Sequence, residues 1–177
     1  MLNIEDCILV IIDIQEKLVN AAFSGDKAAN CTTKLAQTAN ILNIPTIITE
    51  QYPKGLGATV KGIKTTEAKL IEKNSFSALL EPKFAKELKK YDKKQIILCG
   101  IETHICVLQT AADLIKKGYE VYVVNDACSS RNEHEYTTGL ELIKQYGGKI
   151  TCTEIVLFEL LKTSKHPYFK PIQMLIK

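Results

Sequence analysis

Short apolar runs alternate with longer segments of helical periodicity from one end of this chain to the other, and no other feature constrains its fold as tightly. The runs are Cys7–Asp13 (CILVIID), Ile44–Thr49 (IPTIIT), Lys69–Glu72 (KLIE), Gln95–Gly100 (QIILCG), Tyr119–Asn125 (YEVYVVN) and Lys149–Cys152 (KITC). Lys27–Leu42, Pro82–Tyr91, His104–Lys117 and Asn132–Tyr146 carry the helical pattern. Strands that are apolar throughout need cover on both faces, which implies a parallel sheet between layers of helix. The expectation is a single-domain, three-layer α/β/α fold over residues 1–177 with a six-stranded parallel sheet. Its order is taken as 3-2-1-4-5-6, the common doubly wound arrangement, which the sequence does not itself fix.

Local punctuation agrees with these boundaries. Ser130-Arg131-Asn132-Glu133 has the pattern of a capping box, with the serine and the glutamate satisfying free amides at a helix start. Gly118 and Gly147-Gly148 follow helical stretches, where a left-handed residue commonly ends the helix. The glycine-rich segment Gln51–Gly62 follows the second strand and reads either as a mobile lid or as a plain surface loop. No repeat, low-complexity tract or domain linker interrupts the pattern.

Composition excludes several classes. The net charge is +3, from 23 basic and 20 acidic residues, and the lysines are spread along the chain, so nucleic acid is not an expected partner. No apolar stretch is long enough to span a membrane. MLNIEDCILVIID carries acids ahead of its apolar run and no basic flank, unlike a secretory signal. Of the 6 cysteines, Cys7 and Cys99 lie inside apolar runs and Cys152 beside another, which reads as reduced thiols in the cytoplasm. No CxxC pair occurs, and His104, His134 and His166 are too dispersed for a zinc site, so no metal and no cofactor are expected.

A doubly wound sheet binds ligands beyond the carboxyl ends of its strands, where the winding reverses. A dinucleotide would need a glycine-rich turn after the first strand, and this chain has Asp13-Ile14-Gln15-Glu16-Lys17 there. No GxxxxGK sequence is present for a mononucleotide. Reactive side chains stand at the strand ends instead. Asp13 closes the first strand, Lys73 follows the third, and Cys106 falls in the first turn of the helix after the fourth. Free amides and the helix dipole at that position favour a thiolate and offer donors to an oxyanion. Each residue also has an ordinary reading: Cys106 as a packed hydrophobe, Asp13 as a turn cap, Lys73 as a solvated charge. His104 is two residues from Cys106 and faces another way on a helix, so it reads as structural.

Taken together, Asp13-Ile14-Gln15, Lys73 with Ser75-Phe76-Ser77, and Gly100-Ile101-Glu102-Thr103-His104-Ile105-Cys106 resemble the isochorismatase-like cysteine hydrolases. Glu50-Gln51-Tyr52-Pro53, Asp126-Ala127-Cys128-Ser129-Ser130-Arg131 and Leu157-Phe158-Glu159-Leu160 are similar to segments of the small isochorismatase-domain proteins. The resemblance implies a triad of Asp13 as general base, Cys106 as nucleophile and Lys73 as the charge between them. It also implies a cis peptide between Ile101 and Glu102, and an oxyanion hole formed by the backbone amides of Glu102 and Cys106. Gln15, Phe76 and Thr103 are candidate substrate contacts by their nearness to the triad. The segment after the second strand, Glu50-Gln51-Tyr52-Pro53-Lys54-Gly55, has no histidine, unlike the metal-binding nicotinamide hydrolases of that family. The presence of Cys106 sets the chain apart from members that cleave isochorismate, which use no cysteine nucleophile.

The expected function is hydrolysis of a small amide or related acyl C–N bond in a small-molecule substrate through a thioester. A homo-oligomer is implied, with Phe158–Lys177 as a contact. Two alternatives are a catalytically silent member that binds a small molecule or protein, and a thiol redox protein pairing Cys106 with Cys99 or Cys128.

Overall fold

The computed structural model describes residues 1–63 and 67–177. Six strands form one parallel sheet in the order β3-β2-β1-β4-β5-β6. They are β1 (Cys7–Ile12), β2 (Thr46–Gln51), β3 (Lys69–Lys73), β4 (Gln95–Ile101), β5 (Glu120–Ser129) and β6 (Lys149–Thr151). The two central strands, β1 and β4, are buried at every position, whereas the edge strands β3 and β6 have exposed residues. This gradient explains why CILVII and QIILCGI are unbroken apolar runs while KLIEK and KIT are mixed.

The helices are α1 (Glu16–Ala21), α2 (Gly25–Leu42), α3 (Pro53–Leu56), α4 (Pro82–Tyr91), α5 (Leu108–Lys116), α6 (Glu133–Gln145), α7 (Thr153–Leu161) and α8 (Phe169–Gln173). α2 packs on β1, β4 and β5 together with α7, and α5 and α6 pack on one another and on β5. The α4 boundaries follow from local chemistry. Pro82 occupies the first turn, the Glu81 side chain accepts the Lys83 amide, and Asp92 ends the helix in a left-handed conformation. Gly118 and Gly147 take positive φ at the ends of α5 and α6, as their positions predict.

The capping box at 130–133 is not how α6 begins. Asn132 is the cap, and its Oδ1 accepts the Glu135 amide at 3.0 Å. Ser130 is fully buried two residues earlier, with its hydroxyl 3.0 Å from His104 Nδ1. A serine drawn into the core by β5 is not free to cap.

The segment after β2 is tied to its surroundings by hydrogen bonds. Gln15 Nε2 donates to the carbonyls of Gly57 (2.6 Å) and Gln51 (3.1 Å), and Gln15 Oε1 accepts the Gln51 amide (2.7 Å). Glu50 Oε1 accepts both the amide and the hydroxyl of Thr59, and Lys17 Nζ reaches the Gly55 carbonyl. Of the two readings of this loop, the bonds favour a fixed one.

Candidate active site

Three chain segments meet at the carboxyl edge of the sheet. β1 delivers Asp13, which follows its last residue with φ 51°, a left-handed conformation that aspartate tolerates better than most residues. The Asp13 amide donates to the Thr49 carbonyl, and its Oδ1 accepts the Thr49 hydroxyl at 2.6 Å. β3 delivers Lys73 as its final residue. Lys73 Nζ lies 2.6 Å from Asp13 Oδ2, and both side chains are fully buried. The ammonium also donates to Gln51 Oε1 (2.7 Å) and to the carbonyls of Ser75 (3.2 Å) and Phe76 (3.3 Å). A buried lysine is expensive unless every proton has an acceptor, and this one has more acceptors than protons.

The third segment follows β4. Thr103–Val107 forms a single π-turn that runs directly into α5, and Cys106 lies inside it. The π-turn is held from two sides. Thr103 Oγ1 donates to the Ser129 carbonyl, and Gly139 of α6 packs so closely that a Cβ there would come within 3.0 Å of His104 Cα. Gly100, just before the turn, has φ 143°, and a Cβ on it would be 2.1 Å from the Ile12 carbonyl oxygen. Only glycine permits that approach, and it coincides with a register shift between β4 and β5. The Ile101–Glu102 peptide is cis.

Cys106 is buried and lies close enough to both Asp13 and Lys73 for each to act on its thiol. Burial pushes the thiol up to about 12, the Asp13 carboxylate adds to that, and Lys73 opposes it. The expected thiolate at a helix start is therefore not the resting form. Desolvation outweighs the opposing charge of Lys73, so the sulfur keeps its proton beside Asp13.

The remaining sequence candidates fall in different places. Phe76 is about half exposed and contributes its carbonyl to Lys73. Thr103 is fully buried with its hydroxyl engaged by Ser129. Gln15 is fully buried, and both ends of its carboxamide are occupied by loop backbone. Glu102 is mostly buried, and its carboxylate accepts Arg131 Nε at 3.0 Å. His104 bonds to Ser130 and stands 3.7 Å from Glu135, away from the thiol chemistry. Sequence reasoning passed over Thr49 and Gln51, the polar residues ending β2. The strand order carried the signal, because β2 lies between β1 and β3, so its last residues must separate Asp13 from Lys73.

All six cysteines are free. Among the described residues, no set of three or more His, Cys, Asp or Glu side chains is gathered as a metal ion would require. A cleft of about 310 Å³ lies elsewhere, lined by residues including Asn43, Pro45, Thr46 and Tyr91, with none of the three reactive groups in its lining.

A family model described as the isochorismatase domain matches residues 7–155. The chain belongs to the isochorismatase-domain family. It is 42% identical to isochorismatase domain-containing protein 2 of Xenopus laevis over 170 residues, covering 96% of this chain and 82% of the relative. Among solved structures it is similar to MAR1 ribonuclease of Caenorhabditis elegans, with 38% identity and a TM-score of 0.94 over 99% of this chain and 91% of the other. Two YcaC proteins are also similar, each at 27% identity. That of Escherichia coli, described as an octameric hydrolase of unknown specificity, superposes with a TM-score of 0.93 over 99% of this chain and 88% of the other. That of Pseudomonas aeruginosa, solved with hexane-2,5-diol and covalent acrylamide, gives 0.91 over 97% and 89%. These isochorismatase-like folds support a hydrolase assignment at the level of the family.

Proposed function

We propose that this isochorismatase-domain protein hydrolyses a small amide or related acyl C–N bond, with Cys106 as nucleophile, Asp13 as general base and acid, and Lys73 as the fixed cation between them. The observation that carries this reading is the buried Lys73–Asp13 ion pair with the buried Cys106 thiol beside it. Asp13 takes the proton from Cys106 Sγ as the sulfur bonds to the acyl carbon. The oxyanion is received by the backbone amides of Glu102 and Cys106 at the turn. Asp13 then gives the proton to the nitrogen as the C–N bond breaks and the amine departs. Water, deprotonated by Asp13, attacks the thioester, releasing the carboxylic acid and restoring the thiol. Overall, one amide and one water become one acid and one amine.

Lys73 places its positive charge beside the Asp13 carboxylate and stabilises the thiolate as it forms. The covalent acrylamide of the Pseudomonas YcaC protein is an electrophile that adds to nucleophiles through its alkene with the amide left intact, so it supports a reactive nucleophile in that protein rather than acyl transfer. Phe76, half exposed beside the Lys73 cage, is the candidate substrate contact that the geometry favours. Gln15 and Thr103 serve instead to hold the loop and the π-turn. The octameric E. coli neighbour supports a homo-oligomer, and six free thiols support a reducing compartment such as the cytoplasm.

The test is a panel of small amides offered to the wild type and to Cys106→Ala, with hydroxylamine trapping of the thioester. RNA belongs in the same panel, because one structural neighbour is named a ribonuclease. Amide hydrolysis that persists in Cys106→Ala would remove the nucleophile from the scheme. RNA cleavage without amide turnover would overturn the amide reading in favour of a nuclease.

A further inference from the structure

Lys73 is held from behind as well as in front. Its ammonium donates to the carbonyls of Ser75 and Phe76, so the chain immediately after β3 folds back as part of its cage. That stretch is anchored at two adjacent points, both to the helix that follows the nucleophile. Ser77 Oγ donates to Asp113 Oδ2 at 2.6 Å, and the Ala78 amide donates to Thr110 Oγ1 at 2.9 Å. Ser77, Ala78 and Thr110 are buried. The Ser77 bond is charge-assisted and short, the stronger class of hydrogen bond.

Thr110 and Asp113 are four and seven residues beyond Cys106, on a π-turn that continues directly into α5. Positions related by four and seven residues share one helix face. One face of this continuous element therefore carries the thiol at its start and the two anchors of the lysine cage further along. Ammonium and sulfur come from segments separated by strands β2 and β1 in the sheet, and the Ser77–Asp113 and Ala78–Thr110 bonds join them by a shorter route.

We infer that Ser77 and Asp113 are positioning residues that fix Lys73 relative to Cys106 and so set how readily the thiol gives up its proton. This rests on the proposed hydrolase reading and extends it to residues that touch neither substrate nor sulfur. If the bond is lost, the Ser75–Ser77 arm relaxes, the Lys73 ammonium follows its carbonyl acceptors outward, and the thiolate loses its nearby cation. Asp113→Asn gives up the charge assistance but keeps an oxygen for the Ser77 hydroxyl, so the arm should hold its place.

The test needs no substrate. The rate of Cys106 alkylation by iodoacetamide is followed from pH 6 to 10 by peptide mass spectrometry. It is measured in wild type, Ser77→Ala, Asp113→Leu, Asp113→Asn and Lys73→Met, with folding checked by circular dichroism. Ser77→Ala is expected to slow alkylation at neutral pH in the same direction as Lys73→Met, by up to about tenfold for each unit the thiol rises. Asp113→Leu should match it, and Asp113→Asn should stay near wild type. Adding Ser77→Ala to Lys73→Met should change nothing further, because both act through one ammonium. A wild-type profile in folded Ser77→Ala, with Lys73→Met slowed, overturns the positioning role and leaves the hydrolase reading standing. A Cys106 whose alkylation is indifferent to Lys73→Met as well as to Ser77→Ala overturns both.

Discussion

Lys73 Nζ and Asp13 Oδ2 are 2.6 Å apart at a point where neither side chain reaches solvent. Removing one partner leaves the other as a lone buried charge, which costs roughly 3–5 kcal/mol. Lys73→Met should therefore destabilise by about that amount, and the double variant Asp13→Asn with Lys73→Met should recover most of it. Urea denaturation of three variants, Asp13→Asn, Lys73→Met and the double, checks this against wild type, and a double variant less stable than either single one contradicts it. Activity should be absent in all three.

Cys106→Ala is expected to lower amide turnover by at least about 10³-fold while changing stability little, since the thiol packs as a small hydrophobe. Steady-state kinetics and a thermal melt on the same preparation separate the two effects. A tenfold loss alone would mean that sulfur is not the attacking atom.

Gly139 lies inside a helix, where alanine is ordinarily preferred by about 1 kcal/mol. Here the added methyl would meet the backbone of His104 and Thr103 at 3.0–3.1 Å. Gly139→Ala should reverse the usual sign, shifting the π-turn and reducing kcat by more than its effect on Tm would suggest. Gly100→Ala faces a harder obstacle, a carbonyl oxygen at 2.1 Å, and should cost several kcal/mol, about 3 or more. If the Gly139 variant is both more stable and fully active, the close packing of α6 on the turn is not what holds Cys106.

Alkaline pH should unfold this protein earlier than its size suggests. Burial pushes Cys7 up to about 11 and Cys99 and Cys106 up to about 12 from the ordinary 9.0 of a thiol. In the folded state these thiols keep their protons above pH 9, while the unfolded chain releases them. The unfolded state then binds fewer protons, so stability falls as pH rises through the window from 9 to about 12. Each thiol contributes a slope of about 1.4 kcal/mol per pH unit inside its window. Melts between pH 7 and 11 test the sign, and replacing Cys99 by alanine should flatten the curve.

The layout of this fold was legible because its causes are local and repetitive. Apolar runs bounded by helical segments define strands, and all six strands overlap those runs, with β2 continuing to Gln51 and β5 to Ser129. The convergence of Asp13, Lys73 and Cys106 was legible because a doubly wound sheet gathers its strand ends at one edge. Three things escaped. The π-turn at Thr103–Val107 depends on Gly139, 35 positions beyond the His104 that it packs against, and no local propensity encodes that contact. Ser130 reads as a cap because capping signals ignore tertiary burial, which claimed its side chain first. The raised Cys106 thiol depends on how completely the turn is covered, and the helix start visible in the sequence points the other way.

Gln15 shows how position in a sequence can mislead about role. Standing two residues after Asp13, it looks poised to touch a ligand, yet its carboxamide is saturated by the backbone of Gln51 and Gly57. Gln15→Leu should leave those groups unpaired at about 1–3 kcal/mol each. Proteolytic cleavage within residues 52–58 should then accelerate at least severalfold, and unchanged cleavage would show that Glu50 and Lys17 hold the loop without it.

The strand between the two charged partners gives catalysis a second meaning. Asp13 and Lys73 never pair directly in the sheet; β2 must dock between β1 and β3 before their side chains can meet across Thr49 and Gln51. Turnover by the proposed site should therefore report on assembly of that whole half of the molecule. During refolding, activity should return only with the last strand to dock, which makes it a stricter gauge of complete folding than helical content recorded in the same experiment.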